Sequence, residues 1–363
     1  MYDTIVIGAG QAGLSVGYYL KQSKQNFILI DKGTEVGESW KARYDTLTLF
    51  TPRMYSSLPG MPLVGEEQGF PTKDEIATYL EKYADRYEIP IKLNTEVVNI
   101  FKMNGNYIIK TNSEKYQSKN VVIATGPFQI PNIPPFSKFL PNNIKQLHSS
   151  EYKNPIQLID GSVLVVCAGN SGAQIAVELS KQRETYLAYS RKLKFLPLSV
   201  GRKSIYWWFD KLGILKANHK SRMGKLIQRI GDPIFGFELK NAINNKEVIT
   251  KKRVTGSEQN KVIFEDSSTL EVNNIIWATG FKSDFSWLKI DDVINVEGKV
   301  IHYRGISTIQ GLYFIGLPWQ YRRGSAILQG VGYDAEYIVR QIVRDQLFST
   351  KPANRNSFYP EFL

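Results

Sequence analysis

The apolar residues of this chain fall in short runs separated by polar turns. Tyr2–Ile7 alternates and then runs apolar, the pattern of a buried parallel strand. Gly8-Ala9-Gly10-Gln11-Ala12-Gly13 follows, then Leu14–Gln22 at helical spacing, then a second apolar run, Phe27–Ile30, closed by Asp31. Strand, glycine turn, helix and strand within about 30 residues predict a βαβ unit. Lys41–Phe70, rich in Pro, Thr and aromatics, predicts irregular structure laid over a site. Thr72 predicts the cap of an amphipathic helix over Lys73–Tyr87, with Glu75 at the third position after it. Val97–Ile100, Tyr107–Thr111 and Val121–Ile123 predict a meander ending in Ala124-Thr125-Gly126, and a proline-rich crossing from Pro127 to Pro141 follows.

The pattern then repeats. Val163–Val166 predicts a strand, Cys167-Ala168-Gly169-Asn170-Ser171-Gly172 a turn, Ala173–Lys181 a helix and Thr185–Tyr189 the next strand, ending at Ser190-Arg191-Lys192. Later strands are expected at Val262–Phe264 and Ile275–Trp277, the latter entering a second Ala278-Thr279-Gly280. The last unit reads as a strand, Leu312–Ile315, a loop over Gly316–Gly324, and a helix starting near Ser325 or Gly330 and running to Asp345.

With 363 residues, two domains are the default. One cysteine excludes an intramolecular disulphide, a CxxC pair and a cysteine-rich zinc site. Three histidines, His148, His219 and His302, form no metal-ligand spacing, so no metal site is expected. The chain shows no leader pattern and no apolar stretch near the roughly 20 residues of a membrane span, which predicts a cytoplasmic protein. Lys+Arg exceed Asp+Glu by 46 − 34 = +12. Residues 191–229 alone hold eleven Lys/Arg against one acid, Asp210. Such a field favours an anionic partner: a cofactor phosphate, an acidic lipid surface or nucleic acid. No nucleic-acid partner is expected.

The first turn carries the strongest chemistry. Gly8 permits the tight turn, Gly10 lets the backbone approach a pyrophosphate, and Gly13 lets helix and strand pack closely. The free N–H groups and partial positive charge at the helix start suit that pyrophosphate. Asp31 ends the second strand, where a carboxylate accepts ribose hydroxyls. In the second turn Cys167 replaces the first glycine, while Gly169 and Gly172 stand. Ser190, Arg191 and Lys192 occupy the place of the acid, which suits the 2′-phosphate of NADP. Cys167, at a strand end, is expected to be buried and inert. Two dinucleotide sites in one chain imply a resident flavin reduced by an exchangeable nicotinamide, with the cofactor carrying the hard chemistry. No residue is singled out as catalytic.

Further stretches make the chain resemble the flavin-containing monooxygenase-like family of class B flavoproteins over nearly its whole length. They are Gly37-Glu38-Ser39-Trp40, Arg43-Tyr44-Asp45 with Leu47-Thr48-Leu49, Leu58–Pro62, Phe70-Pro71-Thr72, and His148 to Tyr152. They continue with Gly169 to Gln174, Trp277–Phe281, Leu312–Gly316 and Gln329–Gly332. The middle segment, with Gly201-Arg202, Trp207-Trp208, Leu212-Gly213, Ser221-Arg222 and Asp232-Pro233, is similar to a bacterial subgroup of flavoprotein oxidoreductases named after cobalt–zinc–cadmium resistance. Plant auxin-forming flavin monooxygenases are a more distant likeness.

The resemblance implies an α/β fold of two Rossmann-like three-layer (ββα) dinucleotide-binding domains. The FAD domain is discontinuous, 1–156 plus 276–363, and an NADP domain, 157–275, is inserted with a basic aromatic insertion at 193–240. It implies FAD on Gly8, Gly10, Gln11, Ala12, Gly13, Asp31, Lys32, Ser39, Trp40, Arg43, Leu47, Thr125, Gly126, Thr279, Gly280, Gly316 and Gln329, with Trp40 near the isoalloxazine. NADPH is implied on Gly169, Asn170, Ser171, Gly172, Ser190, Arg191 and Lys192. Reduced flavin and O2 would then form a C4a-peroxide that oxygenates a small organic substrate. The family's FxGxxxHxxxY motif keeps only His148 and Tyr152, with Asn142 and Ile144 in the other places, and Phe50 stands where many members carry an asparagine. Three readings therefore stay open: an NADPH-using monooxygenase, a reductase passing electrons to a quinone or protein, and a non-catalytic redox sensor. For the 193–229 segment, a lid, a homodimer interface and a peripheral membrane contact stay open.

Overall fold

A computed structural model gives the architecture, and it describes residues 1–349. The chain is α/β, with one mixed and one parallel sheet, each carrying helices on one side and an antiparallel layer on the other. In the first sheet the order is His302–Tyr303, Ile306–Ser307, Leu312–Phe314, Lys115–Ile123, Tyr2–Ile7, Phe27–Ile30, Ile91–Lys92. The five strands from Leu312–Phe314 to Ile91–Lys92 are parallel. The hairpin Val97–Met103 and Asn106–Thr111 joins Lys115–Ile123 antiparallel. The second sheet is parallel throughout: Val248–Lys251, Thr185–Ala188, Val163–Val166, Asn274–Trp277, Lys145–His148. Its antiparallel layer is Val254–Glu258, Lys261–Phe264 and Thr269–Glu271.

Lys145–His148 lies upstream of the boundary expected at residue 157, yet it hydrogen-bonds to Asn274–Trp277 in the second sheet. Its neighbours explain this: Ile144, Leu140, Leu164, Ile275 and Trp277 bury one another in a common core. The chain therefore passes from the first sheet to the second along the proline-rich stretch 127–141, before the strand Lys145–His148.

Each strand–turn–helix unit starts earlier than its apolar spacing suggests. The helices span Gln11–Gln22 and Asn170–Ser180, because their first turns carry the small and polar residues of the glycine turns. The helix at Lys73–Arg86 has the expected capping box, with Thr72 accepting from the Glu75 N–H and the Glu75 carboxylate accepting from the Thr72 N–H. The last helix, Leu328–Ser349, follows a 3-10 turn over Arg323–Ala326. It packs Val331, Ala335, Ile338 and Ile342 against Leu14, Val16 and Leu20 of the first helix and against the sheet.

In both sheets the central strand, Tyr2–Ile7 or Val163–Val166, has its sequence successor on one side and a later strand on the other. That is a topological switch point, and the crevice at the carboxyl end of such a strand is where open α/β sheets bind ligands. Two strands then cross between the sheets as a ribbon, Ile130–Pro131 against Phe281–Lys282.

Candidate functional site

The first crevice is built around the turn Gly8–Gly13, whose three glycines differ in what surrounds them. Gly8 has φ +108°, and a Cβ there would lie 2.6 Å from the Ala124 carbonyl oxygen. At Gly13 a Cβ would lie 1.8 Å from the Gly8 carbonyl oxygen, so the helix sits directly on the turn. Around Gly10, the N-cap of the helix, a Cβ would meet nothing within 4 Å. Two glycines are thus fixed by packing and one by an open space.

The surrounding residues converge on that space from five segments. The Asp31 carboxylate closes on the turn, with one oxygen accepting from the Ala9 N–H at 2.5 Å and the other from the Gly33 N–H at 2.7 Å. Gln11 holds two elements together, its Oε1 accepting from the Trp40 indole N–H at 3.1 Å and its Nε2 donating to the Ala326 carbonyl at 3.3 Å. A Cβ on Gly316 would lie 3.2 Å from the Ala12 methyl. Thr125 continues the strand beneath Gly8, and Gly126, at φ +70°, opens onto free space. So Gly8–Gly13, Asp31, Trp40, Thr125, Gly126 and Gly316 do meet. Lys32 and Ser39 are exposed, and Gln329 folds its side-chain oxygen back toward Gly324 rather than toward the first helix.

The second turn repeats the geometry. A Cβ on Gly172 would lie 2.0 Å from the Cys167 carbonyl oxygen, while one on Gly169 would meet nothing within 4 Å. Gly280 of the second Ala-Thr-Gly is likewise open, at φ +78°. Cys167 is not buried as expected: it is exposed, with φ +81°. The position demands the left-handed backbone of Gly8, and a side chain there is turned out of the strand. Ser190, Arg191 and Lys192 are exposed beyond the strand Thr185–Ala188, and Lys192 with Lys240, Tyr189, Phe195 and Asn244 lines a cleft of about 280 Å³. Asn170 is committed elsewhere: its side chain accepts from the Phe235 N–H at 3.0 Å and donates to the Pro233 carbonyl at 3.2 Å, anchoring the 193–240 insertion.

Residues 43–50 run between the two crevices. Leu47 is half-buried between the two cores. Tyr44 donates to Gln174 Oε1 at 2.9 Å, and burial pushes its hydroxyl up to about 12. Arg43 lies 5.0 Å from the Phe128 ring and 5.5 Å from the Phe281 ring, the aromatic residues that follow the two Ala-Thr-Gly turns. Among the described residues it has no acidic partner, and burial lowers its pKa. His148 sits behind it, its ring within 2.9 Å of the Gly280 carbonyl oxygen and 2.8 Å of Ser150 Oγ. Burial, and to a lesser degree Arg43, pulls its pKa down.

The sequence reading missed the aromatic wall between the units. Phe50 stacks on Phe235 at 4.7 Å and faces Tyr206 at 6.3 Å. The Arg323 guanidinium lies 5.3 Å from the Phe235 ring and pairs with Asp232 at 3.1 Å. The wall joins three distant segments, so no local spacing announces it. The insertion closes over it by its tip, where Asn218 bridges Arg322 and the His219 N–H donates to the Tyr321 carbonyl at 2.9 Å.

Comparison with known proteins places this geometry. A family model described as pyridine nucleotide-disulphide oxidoreductase matches residues 5–316. The oxidoreductase CzcO of Bacillus subtilis is 66% identical over 342 residues, covering 94% of this chain and 99% of that one. A probable indole-3-pyruvate monooxygenase of Arabidopsis thaliana, YUCCA4, is 28% identical over 93% of this chain and 89% of its own. Among solved structures, a variant of the flavin monooxygenase from Stenotrophomonas maltophilia is 25% identical with a TM-score of 0.81, covering 95% of this chain and 99% of that one.

Proposed function

The chain belongs to the pyridine nucleotide-disulphide oxidoreductase family, and from that premise we propose that it is an FAD-dependent, NADPH-using monooxygenase acting on a small organic substrate with O2. That it is an enzyme of the flavoprotein oxidoreductase and monooxygenase class follows from its relatives. The observation that carries the finer reading is the duplicated turn. Gly13 and Gly172 are closed by backbone, while Gly10 and Gly169 are open where a pyrophosphate approaches.

The residues fit the two cofactors. Gly8–Gly13 and the first N–H groups of the Gln11–Gln22 helix would hold the FAD pyrophosphate. Asp31 keeps spare lone pairs for ribose hydroxyls while it accepts from Ala9 and Gly33. Trp40, fixed through Gln11, would bound the ring system. Lys32, Ser39, Thr125, Gly126, Gly316 and the N-terminus of the Leu328–Ser349 helix would complete that side. Gly169–Gly172 would hold NADPH, with Arg191 and Lys192 on its 2′-phosphate. Arg43 provides a fixed positive charge between the crevices. When bound, the flavin supplies hydride acceptance and O2 activation, and the protein supplies position and field. Phe50 and Arg323, half-buried over the packed Tyr206 and Phe235, would bound the substrate.

The test is anaerobic addition of NADPH to the purified protein, followed by oxygen uptake with and without substrate. Flavin bleaching and oxygen incorporation into product support the reading. Bleaching followed only by H2O2 release would reduce it to a reductase. Absence of bound FAD after reconstitution would overturn it.

A further inference from the structure

The helix Arg222–Ile230 inside the insertion is turned the wrong way for a globular protein. Met223, Leu226, Ile227 and Ile230 recur at the spacing of one helix face. That face does not pack inward: Met223 is 45% exposed, Leu226 53% and Ile230 48%. The helix is held instead by Gly224, where a Cβ would lie 1.9 Å from the Asn218 carbonyl oxygen. Ser221 caps it, accepting from the Gly224 N–H at 3.0 Å. Its nine residues carry Arg222, Lys225 and Arg229 and no acid. At 3.6 residues per turn, Arg222, Leu226 and Arg229 lie opposite Gly224, so the outward side carries the apolar stripe with cations along its edge.

We propose that this face docks on an anionic lipid bilayer, with the helix lying in the plane of the headgroups. Exposed apolar side chains flanked by cations are what an interfacial helix presents: the first enter the headgroup–acyl boundary and the second meet lipid phosphates. Elsewhere in the insertion Leu212 is 67% exposed between Lys211 and Lys216 in sequence. Charge selects the occupant. The helix presents Arg222, Lys225 and Arg229, all exposed, and no acid, so two copies of this face brought together would set cation against cation, whereas an anionic surface complements it. No helix among the described residues is long and apolar enough to cross a membrane, so the contact is peripheral. The inference rests on this face and not on the cofactors.

The test is co-sedimentation of the full-length protein with vesicles of phosphatidylcholine alone and of phosphatidylcholine mixed with phosphatidylglycerol, at low and high salt. Binding is expected only to the mixed vesicles and is expected to weaken with salt. Leu226→Gln with Ile230→Gln should release the protein from them. Lys225→Gln with Arg229→Gln should weaken partitioning about 30-fold, at roughly fivefold per cation removed. All four side chains are solvent-exposed, and an unchanged melting temperature checks that each variant is folded. No binding to mixed vesicles at low salt overturns the proposal. So does binding that survives the loss of Leu226 and Ile230, which would be diffuse charge attraction. A dimer in solution that the same substitutions dissociate assigns the face to a second copy and overturns it as well.

Discussion

Gly10→Val and Gly13→Ala change one turn at two positions three residues apart, and they should fail in opposite ways. Gly10 has φ −74° and ψ −171°, a conformation open to any residue, and its Cβ direction is empty for 4 Å. Without cofactor, valine there costs about 1 kcal/mol, through the poor capping of a β-branched residue. With FAD, its methyl groups stand where the pyrophosphate must come within about 3 Å of the helix N–H groups. Losing two charge-assisted bonds at about 1.5–3 kcal/mol each weakens FAD by about 3–6 kcal/mol, roughly a hundredfold to ten-thousandfold in Kd. Gly13→Ala is the reverse case. Its methyl would start 1.8 Å from the Gly8 carbonyl oxygen, so the helix must retreat. Such overpacking costs about 1–3 kcal/mol with or without ligand. The assay is the flavin-to-protein absorbance ratio together with apoprotein melting before and after excess FAD. Wild type should gain about 2.7 kcal/mol of stability at a hundred times Kd. Gly10→Val should melt within a few degrees of wild-type apoprotein and show no FAD-induced rise, and Gly13→Ala should melt lower from the start. A Gly10→Val protein that purifies fully loaded with FAD would refute the reasoning.

Cys167→Gly removes a side chain from a left-handed backbone that costs about 1–2 kcal/mol, offset by about 0.5–1 kcal/mol of added freedom in the unfolded chain. It should melt slightly higher and bind NADPH more tightly, and a titration showing unchanged or weaker NADPH would contradict the reading of a strained turn. Arg191→Ala with Lys192→Ala should raise KM for NADPH about fivefold or more while leaving NADH unchanged, since both groups are exposed and screened; equal loss for both nucleotides would remove them from the 2′-phosphate. His148 and His302 both have pKa values lowered by burial. Unfolded histidines therefore bind more protons than folded ones below about pH 6.5. Their stabilisation is full above that pH and is lost as pH falls toward the folded values. Melting followed from pH 7.5 to 5 should fall on the acid side, and His148→Gln should flatten that slope; an unchanged slope would exclude His148 as a contributor.

What was legible in the sequence was local. Gly8 to Gly13 with Asp31, and Thr72 with Glu75, act within about one turn or one βαβ unit, so their spacing is their geometry. Asp31 shows the limit, because its carboxylate also closes the turn through the Ala9 N–H, a bond that no residue type announces. Cys167 was misjudged because cysteine is usually buried, whereas the backbone at that position turns any side chain outward. The strand Lys145–His148 was attributed to the wrong unit because its partner, Asn274–Trp277, lies well over a hundred residues away. The wall of Phe50, Tyr206 and Phe235 and the outward stripe of Met223, Leu226 and Ile230 depend on tertiary placement. The helix that carries this stripe was not read from the sequence at all, where residues 193–229 were taken together as one basic segment.

The tip of the insertion has a mechanical consequence. The ribbon of Ile130–Pro131 and Phe281–Lys282 carries the chain between the two sheets, and Asn218 and His219 fasten the insertion at Arg322 and Tyr321. The two halves are thus clasped at a second place besides their covalent crossing, and they cannot swing about a single pivot. If the halves must part for a spent nucleotide to leave, turnover should respond to substitution of His219, whose ring Nδ1 lies 3.2 Å from the Tyr321 carbonyl oxygen and never touches the reacting atoms.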